Sequence, residues 1–305
     1  MTTRRNASIG VGEALLAYSW WGVVTGLYFN ELNNVHALEL LTWRVFAGLP
    51  LMFLLLWRTN AIGGLVQTMR DPRAMRPLFL SAVLIGINWF TFIYAILTER
   101  LVQASLGYFI NPLVSILLAR LILGERVSSL QRAAIAIATA GVIVFVFTII
   151  SESSNDLAGI PWIPFILPLS FGLYGLLRKQ MRADSATGLT IEMCLLLPLM
   201  LALEGWLLLS GNSIVPTASP GLLAMLVLGG VVTIVPLIAF AAAARRLRLT
   251  TLSLLQYLAP LGQFVLALVL GESFGAGKAA AFALILAAIT VYSIDAIKAT
   301  QARQP

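Results

Sequence analysis

The sequence predicts an all-α integral membrane protein, with ten transmembrane helices forming two inverted five-helix repeats around a central cavity. Three observations carry this prediction. The 305 residues are 59% hydrophobic and only 11% charged, against about 25% charged in a soluble domain. Apolar runs of roughly 20 residues, the length that crosses a bilayer core, recur along the chain. The second half also repeats the first at an offset of 148 residues.

The predicted spans are 11–30, 37–57, 77–98, 103–123, 129–150, 159–178, 188–209, 220–243, 249–271 and 279–297. The first follows Arg4 and Arg5 and has no small-residue cleavage site, so it reads as a retained helix and not a signal peptide. It carries Trp21, Thr25 and Tyr28 on one face, and Gly22 and Gly26 allow a neighbouring helix to approach closely. The second contains Arg44, and the third Asn88 and Trp89. In the fourth, Tyr108, Asn111 and Ser115 share one face, with Pro112 between them. The fifth and tenth are alanine-rich without mid-span charges and read as supports outside any pathway. The sixth offers Ser170 and Tyr174; the seventh offers Glu192 beside the lone Cys194. Pro236 predicts a kink in the eighth, while the ninth brings Gln256, Tyr257, Gln263 and Pro260. Pro112 and Pro260 each lack an N–H and free a carbonyl four residues back.

Cytoplasmic loops carry the excess of Lys and Arg. Sixteen of the twenty such residues fall at the termini or in the even-numbered loops, and only Arg100 and Lys278 lie on the opposite side. Both termini are therefore expected in the cytoplasm. The predicted units are a cytoplasmic N-terminus (1–10), the two repeats (11–150 and 159–297) and a cytoplasmic C-terminus (298–305), with 58–76 as the longest connection. This distribution accounts for the formal charge of +7 and removes the case for a nucleic-acid partner. The partner that composition demands is the lipid bilayer.

The offset lays "TWRVFAGLPLM" (42–52) on "TIEMCLLLPLM" (190–200), Arg100-Leu101 on Arg248-Leu249 and Pro112-Leu113 on Pro260-Leu261. Five helices per half is odd, so the second half enters from the opposite face. Transporters built this way bind their solutes near the midplane, at the repeat interface. Arg44 and Glu192 are counterparts under the repeat. Each charge at bilayer depth costs at least ~2.5–3.5 kcal/mol on insertion scales, which marks it as paired, inward-facing or functional. Their Cα atoms fall roughly 10–15 Å apart along the membrane normal, from a 1.5 Å rise per residue. The sequence favours opposite ends of one cavity; a direct ion pair and separate snorkelling to the two interfaces stay open.

Several chemistries find no support. One histidine, His36, and one cysteine make neither a disulfide framework nor a zinc site of the usual kind. No HExxH or GxSxG motif occurs, and "GESFGAGKAA" (271–280) has the wrong spacing for a phosphate loop. No cofactor, metal or catalytic residue is expected.

The stretches "INWF" (87–90), "ASLGYFINPLVSILL" (104–118), "LGER" (123–126), "YGLLRK" (174–179), "RLRLTTL" (246–252), "QYLAP" (256–260) and "SIDAI" (293–297) resemble the RarD branch of the EamA transporters, within the drug/metabolite transporter superfamily. The resemblance covers about residues 11–298. It implies a cavity built from helices 1–4 and 6–9, with helices 5 and 10 peripheral. The branch is named for a link to chloramphenicol sensitivity. Arg44, Asn88, Asn111 and Glu192 match polar positions of the family pattern, whereas Glu31 and Leu32 depart from its lysine-bearing outer end.

The resulting expectation is a secondary transporter of the bacterial cytoplasmic membrane, exporting a small metabolite or drug-like solute by alternating access. Glu192 is the candidate proton carrier. Trp21, Arg44, Asn88, Trp89, Tyr108, Asn111, Tyr174, Glu192, Gln256 and Tyr257 are the candidate substrate or gating residues. The alternative from another class is a non-transporting membrane scaffold or regulator. The sequence specifies no oligomeric state.

Overall fold

The computed structural model describes residues 2–32, 34–98, 100–152, 162–269 and 275–301. Among these residues every regular element is helical. The chain opens with α1 (Thr2–Ser19), a single π turn (Trp20–Val24) and α2 (Thr25–Glu31). There follow α3 (Ala37–Arg58), α4 (Ile62–Arg70), α5 (Pro72–Leu97), α6 (Leu101–Ile122) and α7 (Ser129–Glu152). The second half contains α8 (Ile163–Gln180), α9 (Ser185–Leu209), α10 (Pro220–Arg246), α11 (Leu249–Leu255), α12 (Leu258–Val269) and α13 (Ala276–Gln301).

Six of these helices are long and apolar enough to cross a membrane: α3, α5, α7, α9, α10 and α13. Large apolar side chains such as Phe79 and Phe147 stand 59% and 68% exposed on the outside of the bundle. Such a surface suits lipid, and the chain is an all-helical, multi-pass membrane protein.

Local chemistry explains where the helices begin. The Asp184 carboxylate accepts from Ala186 N and Thr187 N, both at 3.0 Å, and starts α9. Partial burial pushes the Asp184 carboxyl up, but these hydrogen bonds outweigh it and hold the group below its ordinary value. The Ser219 hydroxyl accepts from Leu222 N at 3.2 Å, and Pro220 supplies a preset first turn for α10. The start of α11 is capped from afar: Glu125 accepts from Leu249 N at 2.8 Å and Thr250 N at 3.1 Å.

Three elements differ from the sequence expectation. α1 begins at Thr2, so the predicted terminal tail is already helical. The long second connection contains α4, which lays Leu65 against Leu56, Leu78 and Ile191. The ninth predicted span is two helices, because the α-helical hydrogen-bond ladder is interrupted at Gln256 and Tyr257, just before Pro260, which has no N–H to give the Gln256 carbonyl. Leu261 N reaches the Tyr257 carbonyl at 3.2 Å across the break, and the Gln256 carbonyl is taken by Ala259 N at 3.1 Å.

Lipid tails are as apolar as leucine, so helices in a membrane associate through close packing instead of water exclusion. Small residues make the tightest crossings here. A Cβ on Gly22, in the π turn, would lie 2.8 Å from the Ala259 carbonyl oxygen of α12. A Cβ on Gly230 of α10 would lie 2.6 Å from both Ala47 C and Gly48 N of α3. α7 and α13 pack on each other, with Phe109 of α6 stacked on Phe145 at 4.0 Å and Phe282 edge-on to both.

Candidate functional site

A cavity of about 350 Å³ opens among the helices. Its wall takes Tyr18 from α1, Trp21 from the π turn, Phe29 from α2, Arg44 from α3, Asn88 and Trp89 from α5, Tyr108 and Asn111 from α6, Phe171 from α8, and Gln256 with Pro260 from the broken ninth span. Seven of the ten sequence-predicted site residues meet there: Trp21, Arg44, Asn88, Trp89, Tyr108, Asn111 and Gln256. α7 and α13 contribute no described residue to the wall.

The polar groups are held individually. Arg44 Nε donates to Thr233 Oγ1 at 2.8 Å, and the guanidinium carbon lies 4.7 Å from the Trp89 ring centroid. Asn88 Nδ2 donates to the Leu167 carbonyl at 2.9 Å and to Ser170 Oγ at 3.1 Å, tying α5 to α8. The Tyr18 hydroxyl, Thr25 Oγ1 and Asn111 Oδ1 are buried without a hydrogen-bond partner. Orphaned polar atoms are costly in a dry interior, and a cavity ligand or water repairs them.

On one side the wall continues into an aromatic layer. Phe171 lies 5.9 Å from Trp21 and 5.0 Å from Phe240, ring centre to ring centre. Tyr174 stacks on Phe240 at 6.0 Å. Beyond the layer lies Glu192. Its carboxylate accepts from Ser81 Oγ at 2.5 Å and the Tyr174 hydroxyl at 3.2 Å, and pairs with Arg178 Nη1 at 3.4 Å. Both charged side chains are 1% exposed. Arg178 Nη2 also donates to the Ser185 carbonyl at 2.9 Å.

This corrects the sequence expectation. Arg44 faces the cavity, but Glu192 does not share it and does not pair with Arg44. Its partner is Arg178, the last residue of the sixth predicted span, which counts among the basic residues at the cytoplasmic end. Tyr174 belongs to the aromatic layer, and Tyr257 is buried against α6, α7 and α13 with its hydroxyl unpartnered. Pro112 and Pro236 lie inside unbroken helices; of the three predicted kink residues, only Pro260 adjoins a break and lines the cavity. The Gln263 side chain lies outside the described residues. Glu39 and Glu204, which the sequence places near the outer boundary, gather around Ser213: Glu39 accepts from its hydroxyl at 2.7 Å and from Ile214 N at 3.0 Å.

Arg178 has little room. A Cβ on Gly188 would sit 2.1 Å from Arg178 Nη1. Gly188→Ala should therefore expel the guanidinium from its pair with Glu192. Overpacking of this kind costs about 1–3 kcal/mol, so the detergent-solubilised variant should melt several degrees lower. An unchanged melting temperature would mean that Arg178 moves aside freely.

Comparison with known proteins agrees with this architecture. Residues 8–147 match the model of the EamA-like transporter family. An uncharacterized transporter of Vibrio cholerae is 38% identical over 98% of this chain and 96% of its own length. Protein RarD of Escherichia coli (strain K12) is 39% identical, covering 94% of this chain and 95% of that protein. A solved crystal structure shares the fold with a TM-score of 0.72 at 16% identity, over 95% of this chain and 98% of that one. These relatives are named as transporters or as RarD, not as enzymes. The helical bundle encloses a cavity of aromatic and polar residues, and the chain is a membrane transporter that belongs to the RarD branch of the EamA-like transporter family.

Proposed function

We propose that the protein is a secondary transporter of the bacterial cytoplasmic membrane that exports a small amphipathic solute by alternating access, driven by protons through Glu192. The cavity carries this reading: a polar-and-aromatic chamber at the centre of a lipid-facing bundle. The chain crosses the bilayer ten times, as two inverted halves, with both termini in the cytoplasm. The pairing of helices supports the inverted halves. Under the 148-residue repeat, the contact of α3 with α10 corresponds to that of α9 with α5. The counterpart of α8 is residues 15–32, the end of α1 with the π turn and α2, so α5 with α8 corresponds to α10 with this stretch, and α6 with α8 to α12 with its π turn. α7 with α13 and α3 with α9 correspond to themselves.

The aromatic layer and the Arg178–Glu192 pair act as the cytoplasmic barrier. At 3.4 Å the pair is looser than the about 2.7–2.9 Å of a tight charge-assisted hydrogen bond. Arg178 Nε is also buried without a partner. Such a network is held weakly enough to open. Protonation of Glu192 removes one charge and frees Arg178 to leave, so loading a proton and opening the barrier are one event.

The reading is tested by a thermal-shift screen of the purified protein against amino acids, aromatic metabolites and chloramphenicol, followed by counterflow of each stabilising solute in proteoliposomes. A ligand raises the melting temperature by mass action. At least one solute should do so and exchange faster than in protein-free vesicles. A cooperative melt with no stabilising solute and no counterflow would favour a scaffold instead. For the orientation, Ser151→Cys in a Cys194→Ala background should react with an impermeant maleimide in intact cells. Reaction only after permeabilisation would invert the topology.

A further inference from the structure

Arg44 is the one charged side chain among the described residues lining the cavity. None of the ion pairs among the described residues includes it. Thr233 gives its own hydroxyl proton to the Gly229 carbonyl at 2.7 Å, so its oxygen is fixed as the acceptor for Arg44 Nε at 2.8 Å. One guanidinium face lies over Trp89 at 4.7 Å. These contacts set the plane of the group and leave the N–H donors of both Nη atoms without an acceptor among the described residues. A guanidinium held this way, with its far edge free, matches a carboxylate bidentately. A cation in a low-dielectric wall is unfavourable without a counter-charge, and none of the described residues pairs with it.

The rest of the chamber selects the body of the ligand. Trp21, Phe29, Phe92 and Tyr108 offer ring faces and edges. Asn111 Oδ1, buried and unpartnered, offers an acceptor to a hydroxyl or N–H on the ring. About 350 Å³ lies near the lower end of ligand pockets and suits one ring with a short acid arm.

We propose that the solute is a small aromatic carboxylate, its anionic group bound end-on by Arg44 and its ring held between the aromatic walls. This names the substrate class of the transport site and rests on that reading only for the solute's movement; the binding itself stands apart.

Phenylacetate and the uncharged phenylacetamide have nearly the same shape, and calorimetric titration of the purified protein with each separates charge from shape. The wild type should bind phenylacetate at least tenfold more tightly. Arg44→Gln should bind both alike, at the affinity of the amide, and Arg44→Lys should retain part of the preference. Equal wild-type affinities, no phenylacetate binding, or a preference surviving in Arg44→Gln would each overturn the proposal. If Arg44→Gln does not fold, the wild-type comparison and Arg44→Lys decide it. Counterflow separates the two readings: phenylacetate that binds but does not exchange removes transport and keeps the anion site. Exchange of neutral solutes alone keeps transport and removes the anion site.

Discussion

Glu192→Gln should abolish accumulation driven by a pH gradient and lower the melting temperature, while leaving measurable counterflow. The amide preserves size; its oxygen can accept from one of Ser81 and Tyr174, which now bond separate carboxylate oxygens at 2.5 Å and 3.2 Å, and its NH2 can donate to the other hydroxyl oxygen. It cannot carry a proton. It also leaves Arg178, 1% exposed, without a counter-charge. Removing one member of a buried ion pair costs about 3–5 kcal/mol, most of it the penalty of the stranded charge. A second variant separates the two effects. Arg178→Gln combined with Glu192→Gln strands no charge, so it should recover most of the lost stability and none of the proton-driven transport. Normal accumulation by Glu192→Gln would remove the coupling role, and normal stability would show that the pair contributes nothing to the barrier.

Gly230→Val should be the most damaging single change away from the charges. The added Cβ would lie 2.6 Å from backbone atoms of Ala47 and Gly48, which cannot rotate away as a side chain can. The crossing of α3 and α10 must open. Arg44 lies one turn before that crossing on α3, and its acceptor Thr233 lies one turn after it on α10. The variant should lose at least the upper part of the about 1–3 kcal/mol typical of overpacking and, where it folds, lose ligand binding. Gly205→Val on α9 is the control, since a Cβ there meets nothing within 4 Å. Similar yields and melting temperatures for the two variants would refute the argument.

The all-helical membrane class and most of the cavity wall were legible because membrane helices leave few polar residues to interpret. Asn88, Tyr108, Asn111 and Gln256 stand out against their apolar spans, and helical periodicity fixes which of them share a face. Trp21 and Arg44 follow in the same way. The partner of Glu192 was harder to see. Arg178 directly precedes Lys179 at a helix end, and charge counting assigns such residues to a loop. One signal was available: Arg178 is four residues after Tyr174, on the same face, at the end of the bundle nearest Glu192. Thr233 carries no comparable signal, because a single threonine in an apolar helix usually bonds its own backbone; this one does so and receives Arg44 as well. The prolines are hard to read for a related reason. A missing N–H marks a possible break, but whether the helix yields depends on neighbours that the sequence does not locate, and α6 and α10 stay continuous where the ninth span does not.

The π turn at Trp20–Val24 has a mechanical consequence. Such a turn holds more residues than an α turn, and the surplus can travel along the helix without either end moving. At 3.6 residues per turn, a shift of one position rotates the intervening side chains by about 100°. Trp21 and Thr25 line the cavity from this turn and the residue after it, where Gly22 lies against Ala259 and Gly262. Migration of the bulge would turn the tryptophan out of the chamber and present another side chain in its place. The wall would be remodelled peristaltically, with the helix axis at rest. Solute-free and solute-bound states of the first helix would then differ in winding register over a few residues, with its two ends superimposable.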